Sequence, residues 1–321
     1  MKTWNQGRWW SVRLAAMIAG LIFSSISVAQ APAPFPPTPI VKENTTIKIS
    51  EHVYVIPDSS YTPLVPNIGI IVGSKATLVV DTGLGQRNGE TVLREVGKVS
   101  KNSQLFVAHT HYHPEHTTGG MAFPPNTKFT YPQAQQKDIE DFGQGMLTLF
   151  RKRSPETEEL LKGAIYPKAD LLFEREETLD LGGVHVRLMW LGPTHTRGDT
   201  AILVEEDKVL FSGDIAMKGA FPGFFSPFSS GKTWLASLDS LDALHPVVIV
   251  PSHGQLGDAL MISDWRTYFK ALQARVQELK GRGKSADETA KLATAEFTAK
   301  YPNWAAPDRI SNAAKAFYAE L

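Results

Sequence analysis

His109-Thr110-His111-Tyr112-His113-Pro114-Glu115-His116 holds four of the chain's nine histidines in eight residues, directly after the apolar run 105–108. Such a run reads as a buried strand, and a strand opening into a histidine cluster puts imidazoles at the rim of a sheet. His111 and His113 are two apart, so in extended backbone their side chains project to the same side. Two neutral imidazoles on one side are two of the three protein ligands that a catalytic zinc ion takes. Glu115 and His116 come next, and Gly119-Gly120 is expected to turn them toward a second position. A solvated turn with incidental histidines would need neither this density nor the buried strand before it.

Three later segments supply further candidates, and they share one grammar. Each has an apolar strand, then a turn of small residues, then a side chain able to hold a metal. His195 sits in Gly192-Pro193-Thr194-His195-Thr196-Arg197-Gly198-Asp199, after the run 184–191. Asp214 ends Ser212-Gly213-Asp214, which closes the hairpin 201–204 and 208–211. His253 lies in Pro251-Ser252-His253-Gly254, after 247–250. A lone histidine after a strand is usually structural, but three such sites following the cluster are a pattern.

The set Thr-His-x-His-x-acid-His, Gly-Pro-x-His-Thr-x-Gly-Asp, Ser-Gly-Asp and Ser-His-Gly resembles the metallo-β-lactamase superfamily. Val80-Asp81-Thr82-Gly83 resembles its first-hairpin turn, and the correspondence runs in order from about residue 47 to 255. The resemblance implies an α+β fold, an αββα sandwich with metals at the sheet ends. It implies that His111, His113 and His195 hold one ion, that Glu115, His116 and His253 hold another, and that Asp214 bridges them. Imidazole and carboxylate suit two zinc ions, and the same ligand types serve iron or manganese. Such ions lower the pKa of a bound water to about 7 and polarise a carbonyl or phosphoryl oxygen. Asp81 and Asp199 are read as carboxylates behind the ligands, fixing turns and orienting imidazoles. Lys218 is a candidate contact for a substrate carboxylate. The family usually has aspartate where this chain has Glu115. The extra methylene leaves three outcomes: a slightly rearranged two-metal site, a weak second site, or Glu115 as general base.

Outward from the site, the chain reads as two similar halves. In the first, a strand over 47–56 precedes the hairpin 68–72 and 77–80, a helix over 90–99 and the strand 105–108. In the second, the hairpin before Asp214 is followed by a helix over 233–244 and the strand 247–251. Residues 133–166 are helical in composition and are expected to cross outside the sandwich. The segments 258–280, 286–301 and 308–321 read as amphipathic helices packing on the main domain, with no catalytic signature. The domain is thus placed at 47–321, including the helical segment 258–321. The turn formers of 59–67 suggest a flap over the site. Phe221, Phe224, Phe225 and Phe228 suit either a pocket wall or core cover. His52, His109, His185 and His245 fall outside the ligand pattern and are read as structural.

The N-terminus has Lys2, Arg8 and Arg13 ahead of the uncharged apolar stretch 14–28, ending in Ser27-Val28-Ala29. This is the pattern of a cleaved signal peptide, 1–29, and it predicts a periplasmic or secreted protein. A proline-rich linker, 30–46, follows. Cleavage leaves 30 basic residues against 33 acidic, with no run of like charge, which disfavours a nucleic-acid or membrane partner. The absence of cysteine removes disulfides and thiolate ligands. The expected partner is a small-molecule substrate. Its reaction is read as amide or ester hydrolysis, β-lactams included. The alternatives are lactone or thioester hydrolysis as in lactonases and glyoxalase II, an iron oxidoreductase of the persulfide dioxygenase type, and a binding protein that has kept the fold.

Overall fold

A hairpin followed by a helix and a parallel strand occurs once in each of the two sheets. The computed structural model describes residues 38–58, 62 and 64–321. The expected signal peptide 1–29, residues 30–37 of the expected linker, and residues 59–61 and 63 of the expected flap lie outside them. The first sheet begins with β1 (Ile47–Lys48) and β2 (Val53–Ile56), antiparallel with Ile47 opposite Val55. The expected single strand over 47–56 is therefore a small hairpin, turning where Ile49 N donates to Val53 O (2.9 Å). Next come β3 (Ile68–Val72), β4 (Ala76–Val80), α1 (Gly85–Val99) and β5 (Gln104–Ala108), with β5 parallel to β4. After the short helix α2 (Pro114–Thr117), β6 (Lys128–Pro132) and β7 (Leu171–Phe173) complete the sheet in chain order. Helices α3 (Gln133–Arg151) and α4 (Pro155–Leu160) lie between those two strands in sequence, where helical composition was read.

The second sheet has β8 (Glu176–Asp180), β9 (His185–Trp190), β10 (Thr200–Val204), β11 (Val209–Gly213) and β12 (Val248–Pro251). Here α5 (Gly231–Asp242) connects β11 to β12, which pair in parallel. The second half thus repeats the hairpin–helix–parallel strand path of the first.

The central strands are apolar on both faces because both faces are covered. Leu78, Val80, Ile202 and Phe211 point between the sheets. Their neighbours Ile70 and Val79 pack on Val92 and Val96 of α1. On the far side, Leu203, Leu210 and Ile249 meet Trp234 of α5. The C-terminal helices α6 (Leu260–Gly281), α7 (Ala286–Lys300) and α8 (Arg309–Glu320) thicken that outer layer. In α6 the buried positions 261, 262, 265, 268, 269, 272, 276 and 279 follow one helical stripe. Ser285 and Glu288 form the capping box that starts α7. The fold is the expected αββα sandwich with added C-terminal helices.

Two boundaries differ from expectation for physical reasons. Residues 38–46, read as linker, are partly fastened to α1: Asn88 accepts from Val41 N (2.8 Å) and donates to Pro39 O (2.9 Å). Helix α1 starts at Gly85, five residues before the expected 90. Gly89 is there for space, since a Cβ would sit 1.9 Å from the Gly119 carbonyl, in the loop that follows the histidine cluster. Gly97, in the same helix, has nothing within 4 Å of that position. Thermal unfolding separates the two: Gly89→Ala loses about 1–3 kcal/mol through overpacking, and Gly97→Ala gains up to about 1 kcal/mol.

Candidate metal centre

All seven expected ligands arrive at one end of the two sheets. Strand β5 stops at Ala108, and Pro114 at the first turn of α2 starts the helix. His111 and His113 lie in the bent segment between strand and helix, His113 as the residue that caps α2, whereas Glu115 and His116 ride the first turn of α2. The turn toward the second position is made by Pro114, not by Gly119-Gly120 as expected. Pro suits the start of a helix because its fixed φ is helical and it lacks only an N–H that would go unbonded.

Asp81 occupies the neighbouring strand end with a left-handed φ of 62°. Its buried carboxylate accepts from Thr110 N (2.8 Å), Thr110 Oγ1 (3.0 Å) and His116 Nδ1 (2.8 Å). The last bond fixes the His116 tautomer and turns the lone pair of Nε2 into the site. His195 and His253 are oriented in the same manner by backbone. His195 Nδ1 donates to Gly223 O (2.7 Å), and His253 Nδ1 donates to Val65 O (2.9 Å). Asp199 works one step further back. It accepts from Thr194 Oγ1, Thr196 N (2.8 Å) and Thr196 Oγ1 (2.6 Å), so it shapes the loop around His195 without touching the ring. Arg197 pins that loop to α3 through Asp138 (3.0 Å) and Asp141 (2.9 Å).

The facing atoms converge. His111 Nε2 lies 3.0 Å from His113 Nδ1, which lies 3.4 Å from His195 Nε2. In a tetrahedral zinc site with bonds of about 2.0–2.1 Å, ligand atoms are roughly 3.3 Å apart. Asp214 Oδ2 is 3.4 Å from His195 Nε2, and its Oδ1 is 3.9 Å from His253 Nε2, so one carboxylate faces both sets. Three groupings each bring their ligand atoms within 4.8 Å: His111, His113 and His195; His111, His116 and Asp214; Glu115, His116 and His253. Among the described residues, Glu115 Oε2, His116 Nε2 and Asp214 Oδ1 are buried with no hydrogen-bond partner. Leaving a buried polar atom unpaired costs about 1–3 kcal/mol. Three such atoms aimed at one place therefore fit a cation ligand set.

The electrostatics agree. Burial, and then the neighbouring imidazoles, hold His111 and His113 well below the usual histidine range, leaving them neutral and able to bind metal. Burial alone would also lower His116, but Asp81, followed by Glu115 and Asp214, raises it to about 9. Asp214 is held well below the usual carboxylate range: burial works against its charge, but His195, His253 and His116 outweigh that.

Of the remaining histidines, His52, His109 and His185 lie outside the site. His52 pairs with Asp207 (2.9 Å) and His185 with Glu206 (2.6 Å). His109 is buried against Phe129 and Tyr131. Lys218, expected near substrate, is exposed and does not line the cavity over the site. The chain turns after Gly213 so that Met217 faces inward and its neighbour outward. The basic residues that do line the cavity are Arg153 and Arg309, which sequence reasoning missed. Neither stands in a motif, and Arg309 lies more than fifty residues beyond the last ligand. The phenylalanines divide: Phe221 and Phe224 are core, Phe225 lines the cavity, and Phe228 is exposed under Arg197. Of the flap, Thr62 and Leu64 line the cavity.

The family model described as the metallo-β-lactamase superfamily matches residues 61–253, the span that carries every ligand. The chain belongs to this superfamily. It is 24% identical over 217 residues to a linear primary-alkylsulfatase of Pseudomonas sp. (strain ATCC 19151), covering 58% of this chain but 41% of that protein. It is 25% identical over 184 residues to the acyl-coenzyme A thioesterase MBLAC2 of Gallus gallus, covering 54% of this chain and 66% of that one. The solved inverting sec-alkylsulfatase Pisa1 from Pseudomonas sp. superposes with a TM-score of 0.66 at 16% identity, covering 86% of this chain and 50% of that one. The chain thus spans half or less of both sulfatases.

Asp81→Asn keeps the shape of the carboxylate and removes its charge. Metal retention during dialysis against a weak chelator should fall by about 10–100-fold in affinity at the position served by His116. His111, His113 and His195 should keep their ion. Loss of both ions together, or of neither, contradicts this division of labour.

Proposed function

We propose that this protein is an exported, zinc-dependent hydrolase that cleaves an ester-type bond in a substrate bearing an apolar chain. The cavity carries this reading. Its volume is about 580 Å³, and it is lined both by the ligands His113, Glu115, His195, Asp214 and His253 and by the apolar Met146, Leu149, Phe150, Met217 and Phe225.

Divalent ions held by the seven ligands supply, when bound, an activated water at neutral pH and positive charge that polarises the scissile bond. The protein's own residues do the rest. Asp81, Gly223 O and Val65 O hold His116, His195 and His253 in the tautomers whose free nitrogens face the ions. Asp214 places one oxygen toward each set. Glu115 reaches the second set with one oxygen near His116 Nε2 (3.9 Å) and lines the cavity, where it can take a proton from the attacking water. The apolar wall excludes water and so strengthens each electrostatic contact.

The names of the relatives agree with this reading: one denotes an alkyl sulfate ester and the other an acyl thioester. The β-lactam amide is the weaker substrate reading here, because the apolar wall suits an alkyl or acyl chain and neither relative's name denotes an amide.

Elemental analysis of the purified protein should give about two zinc ions per chain, with at least one lost in His111→Ala. Medium-chain thioesters and 4-nitrophenyl esters should be hydrolysed faster than nitrocefin. Iron with oxygen consumption would place the protein among the oxidoreductases, and a folded protein free of metal would end the proposal. Export has its own check. N-terminal sequencing of the form recovered outside the cytoplasm should begin at Gln30, and an intact Met1 start there would refute cleavage.

A further inference from the structure

The cavity wall is apolar, but two guanidinium groups reach it from segments far apart in sequence. Arg153 follows the C-terminus of α3, and Arg309 opens α8. Neither is paired with a carboxylate among the described residues. Arg94, Arg187, Arg197, Arg266, Arg275 and Arg282 are ion-paired, and Arg87, Arg151 and Arg175, which are not, do not line this cavity. Arg309 gives one N–H to Phe221 O (3.2 Å) and lies 5.4 Å from the Phe225 ring centroid. Arg153 lies 4.1 Å from the Phe150 ring centroid. Each charge is thus positioned by an aromatic ring of the wall and not neutralised by it. A guanidinium has five N–H donors, so Arg309, half-buried, keeps most of its capacity for a ligand. The carboxylates lining the cavity are Glu115 and Asp214, both read as metal ligands, and two divalent ions outweigh their charge. Positive potential and an apolar wall therefore occur in the same space.

Building on the hydrolase reading, we propose that the cavity selects an amphiphilic anion. The alkyl or acyl chain lies on the apolar wall. A negatively charged group, separate from the bond that is cleaved, is held by Arg309. Arg153, exposed at the mouth, adds to the field that draws the anion in. A half-buried guanidinium can meet a carboxylate, sulfate or phosphate with two parallel N–H bonds, which is the geometry that gives such contacts their strength.

Two substrates of equal chain length isolate the distal charge: neutral 4-nitrophenyl decanoate and mono-4-nitrophenyl decanedioate, which ends in a carboxylate. The zinc-loaded protein should prefer the half-ester in kcat/KM. Arg309→Gln should raise KM for the half-ester roughly tenfold more than KM for the neutral ester, and Arg309→Lys should keep part of the preference. Arg153→Gln should produce a smaller loss that disappears at high salt. Calorimetry with decane-1-sulfonate, which has no bond to hydrolyse, reads the same site without turnover. Its binding should weaken about tenfold in Arg309→Gln, with zinc content and melting temperature confirming that the variant is folded. Equal effects of Arg309→Gln on both esters, or unaltered sulfonate binding, would overturn the assignment. If the wild-type protein cleaves neither ester yet binds the sulfonate through Arg309, the hydrolase reading fails and the anion site stands.

Discussion

The carboxylate of Asp81 is the point on which the metal centre turns. It sits in a backbone conformation that costs a non-glycine residue about 1–2 kcal/mol, and it is almost fully buried. Both penalties are offset by three hydrogen bonds: two from Thr110, which fix where the chain leaves β5, and one from His116 Nδ1, which aims a ligand. One side chain thereby joins two strand ends and a metal-facing imidazole. The same contact raises His116 to about 9. Burial and the neighbouring imidazoles move His111 and His113 the other way, well below the usual histidine range. The two halves of the site differ in this respect even though their ligands lie side by side.

The repeated topology explains why the ligands meet. In each half the parallel pair, β4 with β5 and β11 with β12, delivers side chains at the carboxyl ends of its strands. The first pair brings Asp81 and the histidine cluster, the second Asp214 and His253. The two rims are stitched together across the sandwich. Thr200 N donates to Thr110 O (2.8 Å), and Asn67 Nδ2 donates to the carbonyls of Pro251 (2.8 Å) and Gly254 (2.9 Å). Ligands from four loops are thus held by backbone bonds between sheets, the kind of support that keeps a site close to its working geometry.

The sequence made the ligand set legible because each ligand follows an apolar strand and a turn whose chemistry is local. His111, His113, His195, Asp214 and His253 all announce themselves that way. The hairpins flanking Gly73 and Lys208 were legible for the same reason: strands apolar on both faces stand out against polar turns. The edges of the sheets were not. β7 has two exposed residues of its three, and β8 alternates without a strong apolar face, so neither has a periodic signal. The early start of α1 was hidden because Gly85 and Gly89 answer to the carbonyls of Leu160 and Gly119 packed against them and not to helix propensity. Arg153 and Arg309 were hidden for a deeper reason. Their role depends on which helix ends close over the cavity, and that is decided by packing between segments far apart in the chain.

That packing gives the C-terminal helices a part in the metal centre as well as in the core. Trp265 and Phe269 of α6 pack edge-on or tilted against Trp234 of α5, at 5.8 and 5.4 Å between ring centroids. Phe317 of α8 joins the same cluster through Phe269 (5.8 Å). Glu320, near the end of α8, accepts from Gly231 N (2.8 Å) and Lys232 N (3.0 Å) at the start of α5, where a carboxylate satisfies unbonded N–H groups. With α8 fixed at that end, its other end grips the segment 221–225. Arg309 donates to Phe221 O (3.2 Å) and Asn312 to Phe224 O (3.3 Å). Between those two carbonyls lies Gly223 O, the acceptor that sets the tautomer of His195. The helices beyond the last ligand therefore bear on the metal centre through one loop. That loop orients a ligand through Gly223, walls the cavity with Phe225 and seats the unpaired charge of Arg309. Metal binding and substrate selection consequently share a single mechanical support, supplied by the part of the chain that carries no motif.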